Sequence, residues 1–96
     1  MTIEELYQII KDRKKNMPEN SYVASLLREG NDRIIQKVGE EAVEVLIAAK
    51  NKKKKEIIFE SADLLFHLLV LLSAYNIAPE DVLSELERRK NNAIRW

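Results

Sequence analysis

The sequence predicts an all-α fold, a helical bundle of about five helices, on three observations. Apolar residues recur at three- and four-residue spacings, and no stretch of useful length alternates with the two-residue period of a strand. Helix start and stop signals punctuate the chain at intervals that suit helices. Two long apolar segments are separated only by the short run "NKKKK", so they are expected to pack antiparallel.

Each element has its own signals. Thr2, with Glu5 three residues on, forms a capping box that opens a first helix. Ile3, Leu6, Ile9 and Ile10 share one face of that helix, which runs out in Lys14 and Lys15, and "NMPENS" breaks it. Ser21 is placed to cap a short second helix through Leu27, and Gly30 to end it as a left-handed cap residue. Asn31 or Asp32 then caps a third helix that runs to about Lys50. "NKKKK" supplies the turn into a fourth helix from roughly Lys54 to Tyr75, which "NIAP" stops. Pro79 suits the first position of a fifth helix, ending in "ERRKNN". Without a repeat, a low-complexity tract or a linker, residues 1–96 are expected to form one domain.

Composition narrows the function classes. A chain of 96 residues buries about 60 to 70% of the surface it exposes when unfolded, enough for a modest core. Sixteen basic and sixteen acidic residues cancel, which argues against a protein that coats nucleic acid or an anionic membrane. The absence of cysteine removes disulfides, thiolate catalysis and zinc-ribbon sites, and it fits a reducing interior. Met1 leads straight into "TIEELYQII" with no signal-peptide pattern. The longest apolar run, "LLFHLLVLL", is interrupted by His67 and preceded by Glu60 and Asp63, and falls short of the ~20 residues of a membrane span. The expectation is a soluble, cytoplasmic protein.

Chemistry concentrates in "QKVGEEAVEVLIAAK", residues 36–50. At about 100° per residue, Ile34, Val38, Ala42, Val45, Leu46 and Ala49 make one apolar face of the third helix. Glu41 falls on its edge, with Glu44 and then Glu40 further round the flank. On the fourth helix Glu56, Glu60, Asp63 and His67 lie within about 60° of one another, a polar stripe on a helix otherwise apolar nearly all round. If the two helices are antiparallel neighbours, the acidic flank of one faces the acidic stripe of the other. Close carboxylate pairs repel by about 4 kcal/mol at an effective dielectric near 20, so such a cluster calls for a cation.

Plainer readings stand beside this one. Glu40 and Glu44 can be solvated surface residues paired with Lys37. Glu60 and Asp63, inside "IIFESADLLFHLLVLL", are harder to dismiss, because charged groups are almost never buried unpaired. His67 is a ligand, a proton-handling group or a hydrogen-bonded core histidine. Gly39, unfavourable inside a helix, suggests close approach of another backbone or of a ligand. Lys52 to Lys55 form either a wet turn or a phosphate-attracting patch. An all-oxygen ligand set without cysteine favours Mg²⁺, or Mn²⁺, over zinc, copper or iron, and Mg²⁺ is commonly shared with substrate phosphates. A di-iron bundle is the competitor, but it wants Glu-x-x-His on two helices, whereas the spacings here are Glu41-x-x-Glu44 and Glu60-x-x-Asp63.

The pattern "EEAVE" followed by "ESAD" resembles the E-E-x-x-E and E-x-x-D signature of the all-α, MazG-like nucleoside triphosphate pyrophosphatases. Ser21 and Tyr22, "LLREG", "RIIQKVGEEAVE" and "ADLLFHLLVLL" narrow the resemblance to the phosphoribosyl-ATP pyrophosphatase family, over nearly the whole chain. One departure is Val23, where the family often shows threonine. The resemblance implies Mg²⁺-dependent hydrolysis of the α,β-phosphoanhydride of phosphoribosyl-ATP to phosphoribosyl-AMP and pyrophosphate, the second step of histidine biosynthesis. It implies Glu41, Glu44, Glu60 and Asp63 as the metal-binding set, with Glu40 a further ligand or the group that orients water. In some organisms the family is fused to a cysteine-dependent cyclohydrolase, for which this chain has neither length nor cysteines, so one step is expected.

The phosphoribosyl group needs cations, and Arg13, Lys14, Arg33 and Lys37 are the candidates to bind it. Two rival functions share the same residues: a house-cleaning pyrophosphatase for noncanonical nucleotides, and a non-enzymatic helical oligomer. The apolar girth of the fourth helix also exceeds what its short neighbours can cover. A homodimer is therefore expected, with the long third and fourth helices packing across a two-fold axis into a shared four-helix core, as the resemblance also implies.

Overall fold

A computed structural model describes residues 1–92 and Trp96; the described residues contain helices and no strand. The helices are α1 (Ile3–Asn16), α2 (Tyr22–Glu29), α3 (Asn31–Lys50), α4 (Lys54–Ala74) and α5 (Pro79–Asn91).

Most boundaries follow the local chemistry of the sequence. The Thr2 hydroxyl accepts the Glu5 N–H at 3.0 Å and the Glu5 carboxylate accepts the Thr2 N–H at 3.4 Å, which satisfies two otherwise orphan donors of α1. Ser21 Oγ accepts the Ala24 N–H at 3.2 Å and starts α2. That helix continues past Leu27 to Glu29, since Arg28 and Glu29 are good helix formers and the breaker is Gly30.

Gly30 differs from its expected role. Its φ of 104° and ψ of 172° lie in the extended region open to glycine alone, not in the left-handed helical one. In that conformation its N–H closes α2 on the Leu26 carbonyl at 3.1 Å, and its own carbonyl accepts the Arg33 N–H at 3.2 Å to open α3. One glycine joins both helices, so neither Asn31 nor Asp32 is the cap, and α3 begins without a side-chain cap bond. At the other end of α3, left-handed Lys52 (φ 58°) turns the chain into α4. Asp81 opens α5 by accepting the Ala78 N–H at 3.1 Å, with Pro79 in the first turn as expected.

The α3–α4 pair is the most extensive packing in the chain, with α1 against α4 and α2 bridging α1 and α3. Tyr7, Ile10, Val23, Leu26, Ile34, Leu69 and Val70 make the buried core. They come from α1, α2, the start of α3 and the second half of α4, so the core occupies one end of the long pair. Three long-range hydrogen bonds fasten α1 there. The Tyr7 hydroxyl donates to the Ile77 carbonyl at 2.6 Å, and the Lys14 ammonium donates to the Ser73 carbonyl at 2.6 Å and to Asn76 Oδ1 at 2.7 Å. A cation on the last carbonyls of α4 also complements that helix's dipole.

The inward face of α3 keeps Ile34, Val38, Ala42 and Val45 of the expected face but is rotated toward Glu41 and Ala48. Ile34, Glu41 and Ala48 are buried and Val38 and Val45 half-buried, a four-three alternation that follows a 3.5-residue repeat. Leu46 and Ala49, assigned to the apolar face by 3.6-residue spacing, point outward, and Leu46 is 67% exposed. Two long antiparallel helices keep contact along a 3.5-residue seam, and that seam brings Glu41 inside. Beyond the core, Val43 and Ile47 of α3 and Ile58 and Phe59 of α4 are left exposed, Ile58 at 69% and Phe59 at 65%. The apolar stretch of α4 is also longer than the run "LLFHLLVLL" suggests: by length and composition the 21-residue helix would cross a membrane. Here it is the central helix of the bundle, packed on both α3 and α1.

Candidate functional site

Where α3 and α4 face each other, three carboxylates meet. Glu41, buried in the seam, and the half-buried Glu60 and Asp63 place one oxygen each within 4.8 Å of the others. Antiparallel pairing is what allows it: Glu60 and Asp63, three residues apart on α4, present to the one acidic position of α3 that the seam carries inward. Partial burial, and then the charges of Glu44, Asp63, Glu41 and Glu56, push Glu60 above the ordinary carboxylate range.

Among the described residues, Glu41 is the cluster carboxylate with a basic partner. Lys37 Nζ lies 3.1 Å from Glu41 and 3.8 Å from Glu40, and Glu41 raises its pKa. Arg33 lies one turn earlier on α3, 3.4 Å from Glu29 and 4.0 Å from Glu40. The chemistry of the donors fits a hard cation: carboxylate oxygens, no sulfur, mutual repulsion, and a single ammonium to offset it.

Other expected residues fall at varying distances from this trio. Glu44 is exposed and outside the cluster, near enough for its charge to act on Glu60. Glu40 is exposed on the basic flank, where Gln36 Nε2 donates to it at 3.0 Å. Glu56 turns outward and pairs with Lys53 at 3.7 Å. Lys52 to Lys55 are all exposed, as a wet turn requires. Arg13, paired with Asp12 at 2.7 Å, and Lys14 lie on α1 at the far end of α4. Lys14 grips Ser73, ten residues or about 15 Å along the helix from Asp63, and serves there as a strap. Gly39 is exposed, and a Cβ built on it meets nothing within 4 Å, so no contact among the described residues explains the glycine.

His67 is buried with both ring nitrogens engaged. Nδ1 lies 2.7 Å from the Asp63 carbonyl, which can only accept, so Nδ1 carries the proton. Nε2 is then the acceptor for the Tyr22 hydroxyl at 2.8 Å. Of the readings open at the sequence, this is the hydrogen-bonded core histidine. Tyr22 is the residue that sequence chemistry missed. It carries no charge and sits at the start of a short helix, and its only signal was the Ser21–Tyr22 pair in the family resemblance.

Fold and site define a class: an all-α bundle built around a carboxylate cluster between two antiparallel helices, as expected of a pyrophosphohydrolase. Comparison with known sequences narrows it. The sequence model described as phosphoribosyl-ATP pyrophosphohydrolase matches residues 3–90, and the chain belongs to that family. It is 58% identical to the phosphoribosyl-ATP pyrophosphatase of Geobacter sulfurreducens over 91% of this chain and 81% of that protein. A protein of the same name from Pelotomaculum thermopropionicum is 52% identical over 92% of this chain and 90% of its own length. A histidine biosynthesis bifunctional protein of Caldanaerobacter subterraneus is 52% identical over 91% of this chain but only 42% of its own length.

Proposed function

We propose that this protein hydrolyses phosphoribosyl-ATP to phosphoribosyl-AMP and pyrophosphate, a step of histidine biosynthesis, as a soluble cytoplasmic enzyme dependent on Mg²⁺ or Mn²⁺. The observation that carries the reading is the Glu41–Glu60–Asp63 cluster in a chain of this family. Those three residues would hold the ion, with Glu44 joining from the next turn of α3. When bound, the ion supplies positive charge against the triphosphate and the departing pyrophosphate. Glu40, open to solvent, orients the attacking water and takes its proton. Arg33 and Lys37, on the same flank, bind phosphate oxygens, Arg33 through its planar fork and Lys37 as a point charge. Arg13 and Lys14, at the other end of α4, are candidates only for the distal phosphoribosyl phosphate. The working unit is a homodimer, supported by the exposed Leu46, Ile58 and Phe59 on the long pair.

The test is pyrophosphate release from phosphoribosyl-ATP with Mg²⁺ and with excess EDTA, run beside dCTP, dUTP and ITP. Turnover confined to phosphoribosyl-ATP and abolished by EDTA is the expected result. Full activity in EDTA removes the metal from the reading, and preference for the other nucleotides moves the protein to the house-cleaning class.

A further inference from the structure

Tyr22 has a hydroxyl whose proton is committed and a ring that is only partly covered. Its O–H donates to His67 Nε2 at 2.8 Å, which leaves it no proton to give to a substrate. One side of the ring lies on Phe66, centroids 6.1 Å apart and planes 24° from parallel, and His67 meets it edge-on at 5.6 Å. Phe66 in turn packs edge-to-face with His67 at 5.3 Å. Even so, Tyr22 is 48% exposed. An aromatic side chain fixed by a helix start, a hydrogen bond and a stacked neighbour, yet open on its other side, is a preorganised apolar surface.

The ring also stands at the site. Its hydroxyl bonds His67 and His67 bonds the Asp63 carbonyl, so the ring lies two hydrogen bonds from a residue of the carboxylate cluster, and the charges of Lys37, Arg33, Glu41 and Asp63 all act on that hydroxyl. A nucleotide whose phosphates lie at those charges must place its base beside them, a sugar's length away. We propose that the open face of Tyr22 is the stacking platform for the substrate's purine base, and that His67 is the positioning residue that holds the platform. The inference rests on the phosphoribosyl-ATP reading above for the substrate, but it concerns only the base. His67 acts through its two bonds: Nδ1–H to the Asp63 carbonyl ties the platform to the turn of α4 that carries a cluster carboxylate, and Nε2 receives Tyr22. Base position and cluster position are thereby coupled through one imidazole.

The first measurement uses the unaltered protein. Titration with AMP is expected to shift the Tyr22 ring protons upfield in the NMR spectrum, as a stacked purine does, whereas ribose 5-phosphate is not. The second is kinetic. Tyr22→Leu is expected to raise KM for phosphoribosyl-ATP on the order of 10-fold, as loss of a base–aromatic stack does, with kcat within about two-fold and Mn²⁺ binding retained. Tyr22→Trp restores KM, and His67→Gln raises KM in the same direction, with no further increase when combined with Tyr22→Leu. Tyr22 protons that stay unmoved in saturating AMP, or that move only with protein concentration, overturn the platform, as does a Tyr22→Leu defect confined to kcat. If the unaltered protein releases no pyrophosphate from phosphoribosyl-ATP, the assigned reaction fails while the AMP titration still decides the platform.

Discussion

Glu41 is the residue on which sequence and structure differ most usefully. By 3.6-residue spacing it stands on the edge of an apolar face, yet it is buried in the α3–α4 seam with Lys37 at 3.1 Å as its counter-charge. That Glu60 and Asp63 would meet other carboxylates was legible, because charges inside an apolar run demand polar surroundings. The Tyr22–His67 bond was not, since it joins residues 45 positions apart and no local pattern encodes that pairing. Three carboxylates brought this close are electrostatically unfavourable without a cation. Glu60→Gln and Asp63→Asn are therefore each expected to lower kcat/KM on the order of 100-fold or more. In EDTA, thermal melts of both variants should lie at or above that of the unaltered protein, because the neutral amide relieves repulsion. A variant with undiminished turnover would move the site elsewhere.

Helix starts were legible because capping chemistry is local. Thr2, Glu5, Ser21 and Pro79 act within one turn of where they stand. The rotation of the inward face of α3 was not, because the seam is set by the partner helix and not by α3 alone. Gly39 provides a test at this scale. With open space where its Cβ would be, Gly39→Ala is expected to stabilise the protein by about 1 kcal/mol in chemical denaturation. A loss of stability or of activity instead would show that a ligand or a second subunit approaches the helix at that point. On α5, Arg88 and then Arg89 hold the Glu85 carboxylate down at about 2 from 4.5. A depressed carboxylate contributes stability that is present above pH 4.5 and is lost as pH falls toward 2. Helicity of α5, followed by amide NMR shifts, should accordingly decline across that window in the unaltered protein and decline less in Glu85→Gln, where the first-turn carboxylates Glu80 and Asp81 still titrate.

The whole molecule measures 44 × 34 × 27 Å, longer than a compact core of this size needs, because half of the α3–α4 pair projects beyond it. The excess apolar girth of α4 was plain in the sequence, whereas which surface stays uncovered required the fold. If a second copy covers the exposed face, folding and association are linked. The melting temperature is then expected to rise with protein concentration, and Phe59→Lys to give a monomer of lowered melting temperature by light scattering and calorimetry. A concentration-independent melt of a monomer with full activity would refute the dimer. The one-ended core also sets a gradient of local stability along the hairpin. Ile10, Leu26, Ile34 and Val70 anchor one end, while the turn at Asn51 and Lys52 has only Ala48 buried nearby. In an isolated subunit the amide hydrogens around that turn should exchange with solvent through small local openings, long before those at the anchored end. The carboxylate cluster lies between the two regimes, so in the proposed dimer the association that closes the free end would also hold Glu41, Glu60 and Asp63 in register.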